Sequence, residues 1–295
     1  MKQAYLITFY KDPVLLTEMI LALDSGEDRF FVHVDRKFKG EVENSLLEPI
    51  KSRIHFVPSV KVEWGGYSHL NAILRLLRTA FKSDTFDYYH LMSAQCYPVT
   101  TAAQRNRFLV NNTPKSFIHF ELMDKLNWSG GSFNRLKLYH LNDCFDIRLP
   151  IPSRINGYSL LFQKKLRISR RLPTEIRNFY GGSTWWSLHH KAVSEVFSFL
   201  NSNTRFEKRF RFTHCPEEYF FQSILLNSSV KDTLVSDDLR FISWTKKHNS
   251  IPAILDEADA HDILTSGKLF MRKIEKGTSD RLIDAVRYES YSKIE

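Results

Sequence analysis

The chain has 295 residues, of which 43% are hydrophobic and 25% are charged, and its formal net charge is +9. Such a length and composition fit one large α/β domain or two small ones and exclude a chain that is disordered throughout. The three cysteines, Cys96, Cys144 and Cys215, lie far apart and form neither a zinc pattern nor a disulfide framework. The first residues lack the apolar run of a signal peptide, and no later run approaches the length of a membrane span. We therefore expect a cytoplasmic protein.

The excess of basic residues is compatible with three kinds of partner: nucleic acid, an anionic membrane surface or a phosphate-bearing ligand. The densest basic patch covers residues 163–171, with the sequence QKKLRISRR. It lacks the glycine-rich or aromatic-interleaved signature of RNA-binding segments, so nucleic acid is the least favoured partner. The patch, from Lys164 to Arg171, is then either a solvated loop or a contact with an anionic membrane.

The first half of the chain alternates between apolar strand patterns and helical patterns. Strands are predicted at residues 4–9, 30–35, 54–57, 88–92 and 117–120, and helices at Asp12-Pro13 onwards and over 69–81. Strand, helix and strand in this order imply parallel neighbours, and ligands bind beyond the carboxyl ends of such strands. Asp35 ends the second strand. It is either a contact for a ribose hydroxyl or base edge, or an ordinary turn aspartate.

The second half is less regular. Residues 124–178 contain few clear strands and are expected to form a lobe or insertion that shapes one wall of a cleft. Strand character returns at 181–188 and 239–244, and helices are predicted at 191–200, 218–226, 258–264 and 279–290. Because there is no internal repeat and no clean linker, we predict one α/β domain over residues 1–295.

Two adjacent acids, Glu217 and Glu218, follow Pro216. If Pro216 is the first residue of a helix, both acids lie in the first turn, where the helix dipole favours ionised carboxylates. An ionised carboxylate on a rigid helix suits a general base, although acids in a first turn are also ordinary helix chemistry. Neighbours on a helix point about 100° apart. We expect Glu218 to face the cleft with Phe221, Gln222 and Leu225, and Glu217 to lean toward the preceding loop.

Seven segments form a further pattern over nearly the whole chain. They are residues 4–7 (AYLI), 31–37 (FVHVDRK), 62–68 (VEWGGYS), 93–98 (SAQCYP), 181–186 (GGSTWW), 215–218 (CPEE) and 269–273 (LFMRK). In this order they resemble glycosyltransferase family 14, which comprises the core-2 branching β-1,6-N-acetylglucosaminyltransferases, the peptide O-xylosyltransferases and bacterial relatives. The resemblance implies a GT-A type nucleotide-sugar fold with a mixed, mostly parallel central sheet flanked by helices. It also implies an inverting transfer without a metal.

The resemblance assigns roles to individual residues. Glu218 matches the family's catalytic base, and Lys273 matches its diphosphate-binding lysine. The arginine that partners this lysine has no clear counterpart, so Arg272, Lys246 and Lys247 are candidates. Other expected ligand contacts lie in or beside the matching segments. They are Asp35 and Tyr10 for the nucleotide, and Glu217, Trp185, Trp186, Ser93, Gln95 and Trp64 for the substrates.

The chain departs from the family pattern at two positions. Tyr10 stands where the first strand usually ends in a histidine near the uracil, which affects the base contact. Cys96 replaces the aspartate of an Asp-Tyr/Phe-Pro motif, which affects an acceptor or sugar contact.

A divalent metal is not expected as a cofactor. The usual manganese-binding Asp-any-Asp motif is missing after the second strand, where Asp35 is followed by Arg36 and Lys37. Fixed cations such as Lys273 would then stabilise the departing diphosphate. The acidic segment 256–262 resembles a metal site, but acids also collect at helix starts.

The predicted function is therefore transfer of a sugar, N-acetylglucosamine or xylose, from a UDP-sugar to a saccharide or lipid-linked glycan. The expected setting is surface polysaccharide or glycan assembly at the inner face of the cell membrane. Two alternatives stay open: an inactive fold relative that binds glycan or nucleotide, and a membrane-peripheral scaffold that uses the basic patch.

Overall fold

The computed structural model describes residues 1–42, 45–128 and 130–292. Its strands are β1 (Gln3–Phe9), β2 (Arg29–Val34), β3 (Ile54–Val57), β4 (Tyr88–Ser93), β5 (Cys96–Pro98), β6 (Ser116–Ile118), β7 (Glu121–Leu122), β8 (Tyr180–Gly181), β9 (Trp186–His189), β10 (Leu234–Val235), β11 (Arg240–Ile242) and β12 (Phe270–Arg272). Its α-helices are α1 (Pro13–Leu23), α2 (Tyr67–Ser83), α3 (Ala102–Asn112), α4 (Asn134–Lys137), α5 (Pro150–Lys165), α6 (His190–Ser202), α7 (Phe220–Leu226), α8 (Ala260–Thr265) and α9 (Asp280–Ser292).

The central sheet has the strand order β10-β6-β9-β4-β1-β2-β3. Strands β4, β1, β2 and β3 are parallel, whereas β9 runs antiparallel between β4 and β6. The inner strands are almost continuously apolar, as expected for strands that are covered on both faces. The predicted α/β class, with a mixed and mostly parallel sheet flanked by helices, is confirmed.

Each face of the sheet is covered by its own apolar cluster. One cluster contains the inward residues of α2, α6 and α7, for example Leu70, Val193 and Ile224. The other contains residues of α1 and α9, for example Leu16 and Ile283. Helix α1 begins as its sequence predicts, because the Asp12 side chain accepts a hydrogen bond from the Leu15 backbone N–H at 3.1 Å. None of the described helices has the length and apolar run needed to cross a bilayer.

Two parts of the fold differ from the expectation. Residues Cys96–Pro98, which were not predicted as a strand, form β5 of a second sheet with the order β11-β12-β5. Strands β5 and β12 run antiparallel, and Arg272 lies opposite Cys96. The described residues between 124 and 178 contain no strand, as expected, but they contain the 16-residue helix α5. Its prolines occupy the first helical turn, where the missing N–H groups cost nothing.

The helix predicted over 218–226 is wrong at its start. Residues Pro216–Glu218 form a separate 3₁₀ turn, and α7 begins only at Phe220. Tyr219 interrupts the helix with a φ of −147°, and its buried hydroxyl donates to the His214 carbonyl at 2.9 Å. The backbone adopts this conformation because it buries the aromatic ring and lets the hydroxyl form its hydrogen bond. The helical face that Glu218 was expected to share with Phe221 therefore does not form.

Candidate active site

The candidate site lies at the carboxyl edge of the central sheet. Tyr10 follows β1, Asp35 follows β2, and Ser93 ends β4. Because β9 is antiparallel to β4, the residue before it, Trp185, lies at the same edge. Arg272 reaches this edge from β12, since its guanidinium donates a hydrogen bond to the Ser93 hydroxyl. The topology thus gathers residues that are up to 262 positions apart in the sequence (10 to 272).

The turn that carries the two acids is fixed by backbone contacts. Cys215 has a φ of 46° and donates its N–H to the Gly65 carbonyl at 2.8 Å. The N–H of Gly182 donates to the carbonyl of Glu218 at 2.8 Å. A Cβ atom at Gly182 would lie 2.0 Å from the His119 carbonyl oxygen, so only glycine allows this approach. These contacts hold the turn against the loop that precedes α2 and the loop that precedes β9.

Glu217 points into the protein toward helix α2. Its side chain is buried, and its Oε1 lies 3.0 Å from Nδ1 of His69 in the first turn of that helix. Burial lowers the pKa of His69, but the charge and hydrogen bond of Glu217 outweigh it, so the net pKa is raised. The other carboxylate oxygen of Glu217, Oε2, is buried without a hydrogen-bond partner among the described residues. Glu217 thus carries one buried acceptor oxygen that no donor of the described residues satisfies.

Glu218 points toward the lobe and keeps 28% of its side chain exposed. Its Oε2 pairs with Nη1 of Arg135 in α4 at 2.5 Å, and the guanidinium of Arg135 stacks on the Trp128 ring at 3.9 Å. Burial, and then the charge of Glu217, raises the pKa of Glu218 to about 7, while Arg135 and His69 partly oppose the rise. A carboxylate with a pKa near neutrality and access to solvent has the properties of a general base.

The site also contains two cationic side chains, Arg272 and Lys273. The guanidinium of Arg272 stacks over the Trp185 ring at 4.4 Å, and Nζ of Lys273 donates to the Ser250 hydroxyl at 3.3 Å. Burial, together with the charges of Arg272 and Lys11, lowers the pKa of Lys273. Among the described residues, the contacts of Arg272 and Lys273 are with hydroxyl groups, the Cys96 sulfur and a ring, and neither pairs with a carboxylate. Both charges are therefore available to an anion.

The other candidate cations are placed differently. Lys246 is exposed on the loop that follows β11, and in the part of the chain that the structure describes it forms no hydrogen bond with Lys273. Lys247 is bound by two carboxylates, Asp256 at 2.6 Å and Asp259 at 2.8 Å. The acidic segment that resembles a metal site in the sequence therefore neutralises a lysine and caps a short helix.

Three of the expected ligand contacts lie at the sheet edge in supporting roles. Tyr10 donates its hydroxyl to the side chain of Gln95, which is itself buried. Asp35 is buried and accepts hydrogen bonds from the N–H groups of Lys37 at 2.9 Å and Val62 at 3.4 Å. These contacts are those of a turn aspartate, although Asp35 still borders the edge.

The three tryptophans that were expected to bind substrate lie in different surroundings. Trp64 is exposed and contacts the His214 ring edge-to-face at 5.6 Å, and Trp185 lies beside Arg272. Trp186, expected to bind substrate, is 0% exposed and packs against Phe221 in the core. Trp186 lies in β9 and is fully buried in the core, so the structure indicates a packing role for it in place of substrate binding.

His69 and Arg135, which hold the two acids, were missed by the sequence analysis. They lie 148 and 83 residues from their partners, and no local spacing connects such positions. The available signals were weak: His69 opens a helix after Gly65-Gly66, and Arg135 follows a glycine pair in the lobe.

Comparison with known proteins gives the family of the chain. The family profile described as "Branch: Core-2/I-Branching enzyme" matches residues 3–264. The chain is 25% identical to xylosyltransferase 1 of Homo sapiens over 243 residues, which is 79% of this chain and 23% of that protein. It is 25% identical to xylosyltransferase 2 of Rattus norvegicus over 242 residues, 79% of this chain and 25% of that protein. Xylosyltransferase sqv-6 of Caenorhabditis elegans is 22% identical over 230 residues, 74% of this chain and 25% of that protein. The chain spans about a quarter of the length of these curated relatives.

Proposed function

Because this chain belongs to the core-2/I-branching enzyme family, family 14 of the glycosyltransferases, we propose that it transfers a sugar from a UDP-sugar to a saccharide hydroxyl. Xylose and N-acetylglucosamine are the proposed donor sugars, and the similarity to xylosyltransferases supports the first. The observation that carries the proposal is Glu218, a partly exposed carboxylate with a pKa of about 7 at the sheet edge. We further propose that residues 1–295 act as one glycosyltransferase domain.

The proposed reaction is an inverting transfer in one step. Glu218 accepts the proton of the acceptor hydroxyl while that oxygen attacks the anomeric carbon, and UDP leaves from the opposite face of the sugar. The new glycosidic bond forms as the bond to the diphosphate breaks, so the anomeric configuration inverts. A base with a pKa near the working pH combines a large ionised fraction with sufficient basicity. The ion pair with Arg135 holds the carboxylate in one orientation.

The departing diphosphate is the proposed ligand of Arg272 and Lys273. Two fixed cations stabilise the charge that develops on the leaving group, which is the role a divalent metal has in other nucleotide-sugar transferases. The lowered pKa of Lys273, caused by burial and by nearby cations, supports this role because a bound anion would relieve that repulsion. We propose that no metal is needed, since Arg36 and Lys37 follow Asp35 where a second acid would be required.

The donor sugar and nucleotide are proposed to lie along the same edge. Tyr10 and Asp35 follow β1 and β2, and we propose that they contact the uridine there. The unpaired oxygen of Glu217 is proposed to accept a hydrogen bond from a sugar hydroxyl, because a buried carboxylate oxygen without a partner is costly. Ser93, Gln95, Trp185 and Trp64 are further proposed substrate contacts, of which Trp64 is exposed and the other three are buried.

The acceptor is proposed to be a saccharide or a lipid-linked glycan in surface polysaccharide or glycan assembly. A cytoplasmic position at the inner face of the cell membrane would bring the enzyme to such an acceptor. The basic residues of 164–171 support this setting, because they favour an anionic surface.

The test is UDP release from UDP-xylose and UDP-N-acetylglucosamine, with saccharide acceptors and with water alone. We expect acceptor-dependent release of UDP and, by NMR, a product of inverted anomeric configuration. A retained configuration would overturn the single-step mechanism. UDP binding without any turnover would instead favour an inactive relative, for which the replacement of the family's histidine and aspartate by Tyr10 and Cys96 is the motivating observation.

A further inference from the structure

Helix α5 (Pro150–Lys165) carries its apolar side outward. Ile151, Ile155, Tyr158 and Phe162 are spaced at i, i+4, i+7 and i+11, which places them on one face. Their exposed fractions are 70%, 48%, 71% and 59%. In an ordinary helix of a soluble protein such a face packs against the core, as it does in α2. We call these four residues the α5 stripe.

The inward side of α5 is polar and is held by specific hydrogen bonds. The Asn156 side chain accepts from the Leu141 N–H at 3.2 Å. The Gln163 side chain accepts from the Tyr139 N–H at 2.8 Å and donates to the Tyr139 carbonyl at 2.9 Å. Buried amides that are satisfied in this way fix the rotation of a helix about its axis. The outward position of the α5 stripe is therefore built into the fold.

The segment that contains the α5 stripe, residues 149–171, carries only positive charge. Residues 149–171 include six basic residues and no acidic residue. Arg170 is turned inward, where it donates to the Phe212 carbonyl at 3.2 Å and the Thr213 hydroxyl at 3.0 Å. The other five are exposed: Arg154, Lys164, Lys165, Arg167 and Arg171. More apolar surface continues past the helix at Leu166 and Ile168.

We propose that α5 docks on an anionic lipid surface, with the α5 stripe inserted between headgroups and the basic residues on lipid phosphates. An exposed apolar face bordered by lysine and arginine is the arrangement of helices that lie in the membrane interface. A second copy of this chain fits less well, because self-association would bring the same basic residues together. This inference deepens the membrane setting proposed above, and it does not depend on the transfer reaction.

Docking by α5 would hold the site beside the lipid surface. Asn156, Leu160 and Lys164 of α5 line a cavity of about 180 Å³, and Arg135 lines the same cavity from α4. The partner of Glu218 and the docking helix are therefore neighbours across one cavity. An acceptor that is anchored in the same membrane would have a short path to Glu218.

The test is flotation of the full chain with vesicles of phosphatidylcholine alone or mixed with phosphatidylglycerol. The stripe variant is Ile155→Ser with Phe162→Ser, which removes apolar surface and leaves the charge unchanged. The charge variant is Arg154→Gln with Lys165→Gln. The matched control is Val14→Ser with Tyr288→Ser, because these side chains are similarly exposed on other helices, α1 and α9. Circular dichroism and thermal melting check that every variant is folded.

We expect wild type and the control to float with the anionic vesicles. The stripe variant should partition about 10- to 100-fold more weakly at every salt concentration, since apolar burial is not screened. The charge variant should be about 10- to 30-fold weaker at low salt and close to wild type in high salt. Flotation of the stripe variant equal to wild type would overturn the proposal. A second outcome would also overturn the proposal. Light scattering would show a dimer for wild type and a monomer for the stripe variant, and neither protein would bind vesicles.

Discussion

The two neighbouring carboxylates of the Pro216–Glu218 turn lie in contrasting surroundings. Glu217 is buried against the first turn of α2, where His69 is its partner. Glu218 faces the lobe, where Arg135 is its partner and a quarter of its side chain meets solvent. The residue types are identical and the positions adjacent, so the environment alone separates their roles. Glu217 is suited to hold a ligand group and to raise the pKa of its neighbour, and Glu218 is suited to move a proton.

The largest expected effect is the loss of turnover in Glu218→Gln. Glutamine keeps the shape and can still hydrogen-bond, but it cannot accept the acceptor proton, and loss of a general base costs about 10²–10⁴-fold in rate. UDP affinity and melting temperature should stay close to wild type. Initial rates with saturating donor, calorimetry with UDP and thermal melting give the three readings.

The matched comparison is Glu217→Gln, which should keep measurable turnover with a raised donor KM. If Glu218→Gln retained more than about a tenth of the wild-type rate, the assignment of the base would be wrong. If both variants were unfolded, the pair would be structural.

The next effect is a loss of UDP affinity in Lys273→Ala. Removing a charge-assisted hydrogen bond to the diphosphate should cost about 1.5–3 kcal/mol, which is about 10- to 150-fold in Kd. The control is Lys276→Ala, because this nearby lysine pairs with Glu18 at 3.1 Å on the surface. Calorimetry with UDP measures both. Equal affinities in wild type and Lys273→Ala would reject the contact.

A smaller effect is expected in the pH dependence of kcat/KM, where Glu217 and Arg135 should act in opposite directions. The base works only when ionised, so kcat/KM should fall about tenfold per unit below its pKa of about 7. The charge of Glu217 raises that pKa, so Glu217→Gln should move the acid limb to lower pH. Arg135 opposes the rise, so Arg135→Gln should move the limb to higher pH. Shifts in the same direction, or no shift in either variant, would contradict the arrangement.

The smallest expected effect is that of metal removal. UDP should bind with equal affinity in manganese and in EDTA, because the proposed diphosphate contacts are Arg272 and Lys273. Calorimetry in the two buffers compares them directly. A tenfold weaker affinity in EDTA would show that a metal takes part, since diphosphate metal sites combine phosphate oxygens with protein carboxylates.

Much of the central sheet could be predicted from the sequence because its strands are short, continuous apolar runs. The range 54–57 is reproduced without change, and Asp12-Pro13 starts α1 as predicted. The short strands β5 and β12 were not predicted as a sheet, because three-residue strands have no periodicity of their own. Helix α5 was missed for a different reason. Its prolines and Gly157 disrupt a helical pattern, and its apolar residues do not face a core.

The site was only partly predictable for physical reasons. The matching segments directed attention to Glu218, Lys273 and Trp185, and all three lie at the same edge. Trp186 could not be separated from Trp185 by pattern alone, because alternate residues of a strand face opposite sides and the register was unknown. His69 and Arg135 required the tertiary structure, since each meets its carboxylate only through the fold.

The two arginine–indole stacks also have a spectroscopic consequence. Trp128 lies 3.9 Å from the Arg135 guanidinium on the side of the base, and Trp185 lies 4.4 Å from that of Arg272 on the side of the cations. A ligand that draws either arginine away changes the electric field at one ring and leaves the other unchanged. The tryptophan fluorescence of variants that keep only Trp128 or only Trp185 would thus report ligand binding beside Arg135 and beside Arg272 separately. The signal can be followed in real time and needs no added label.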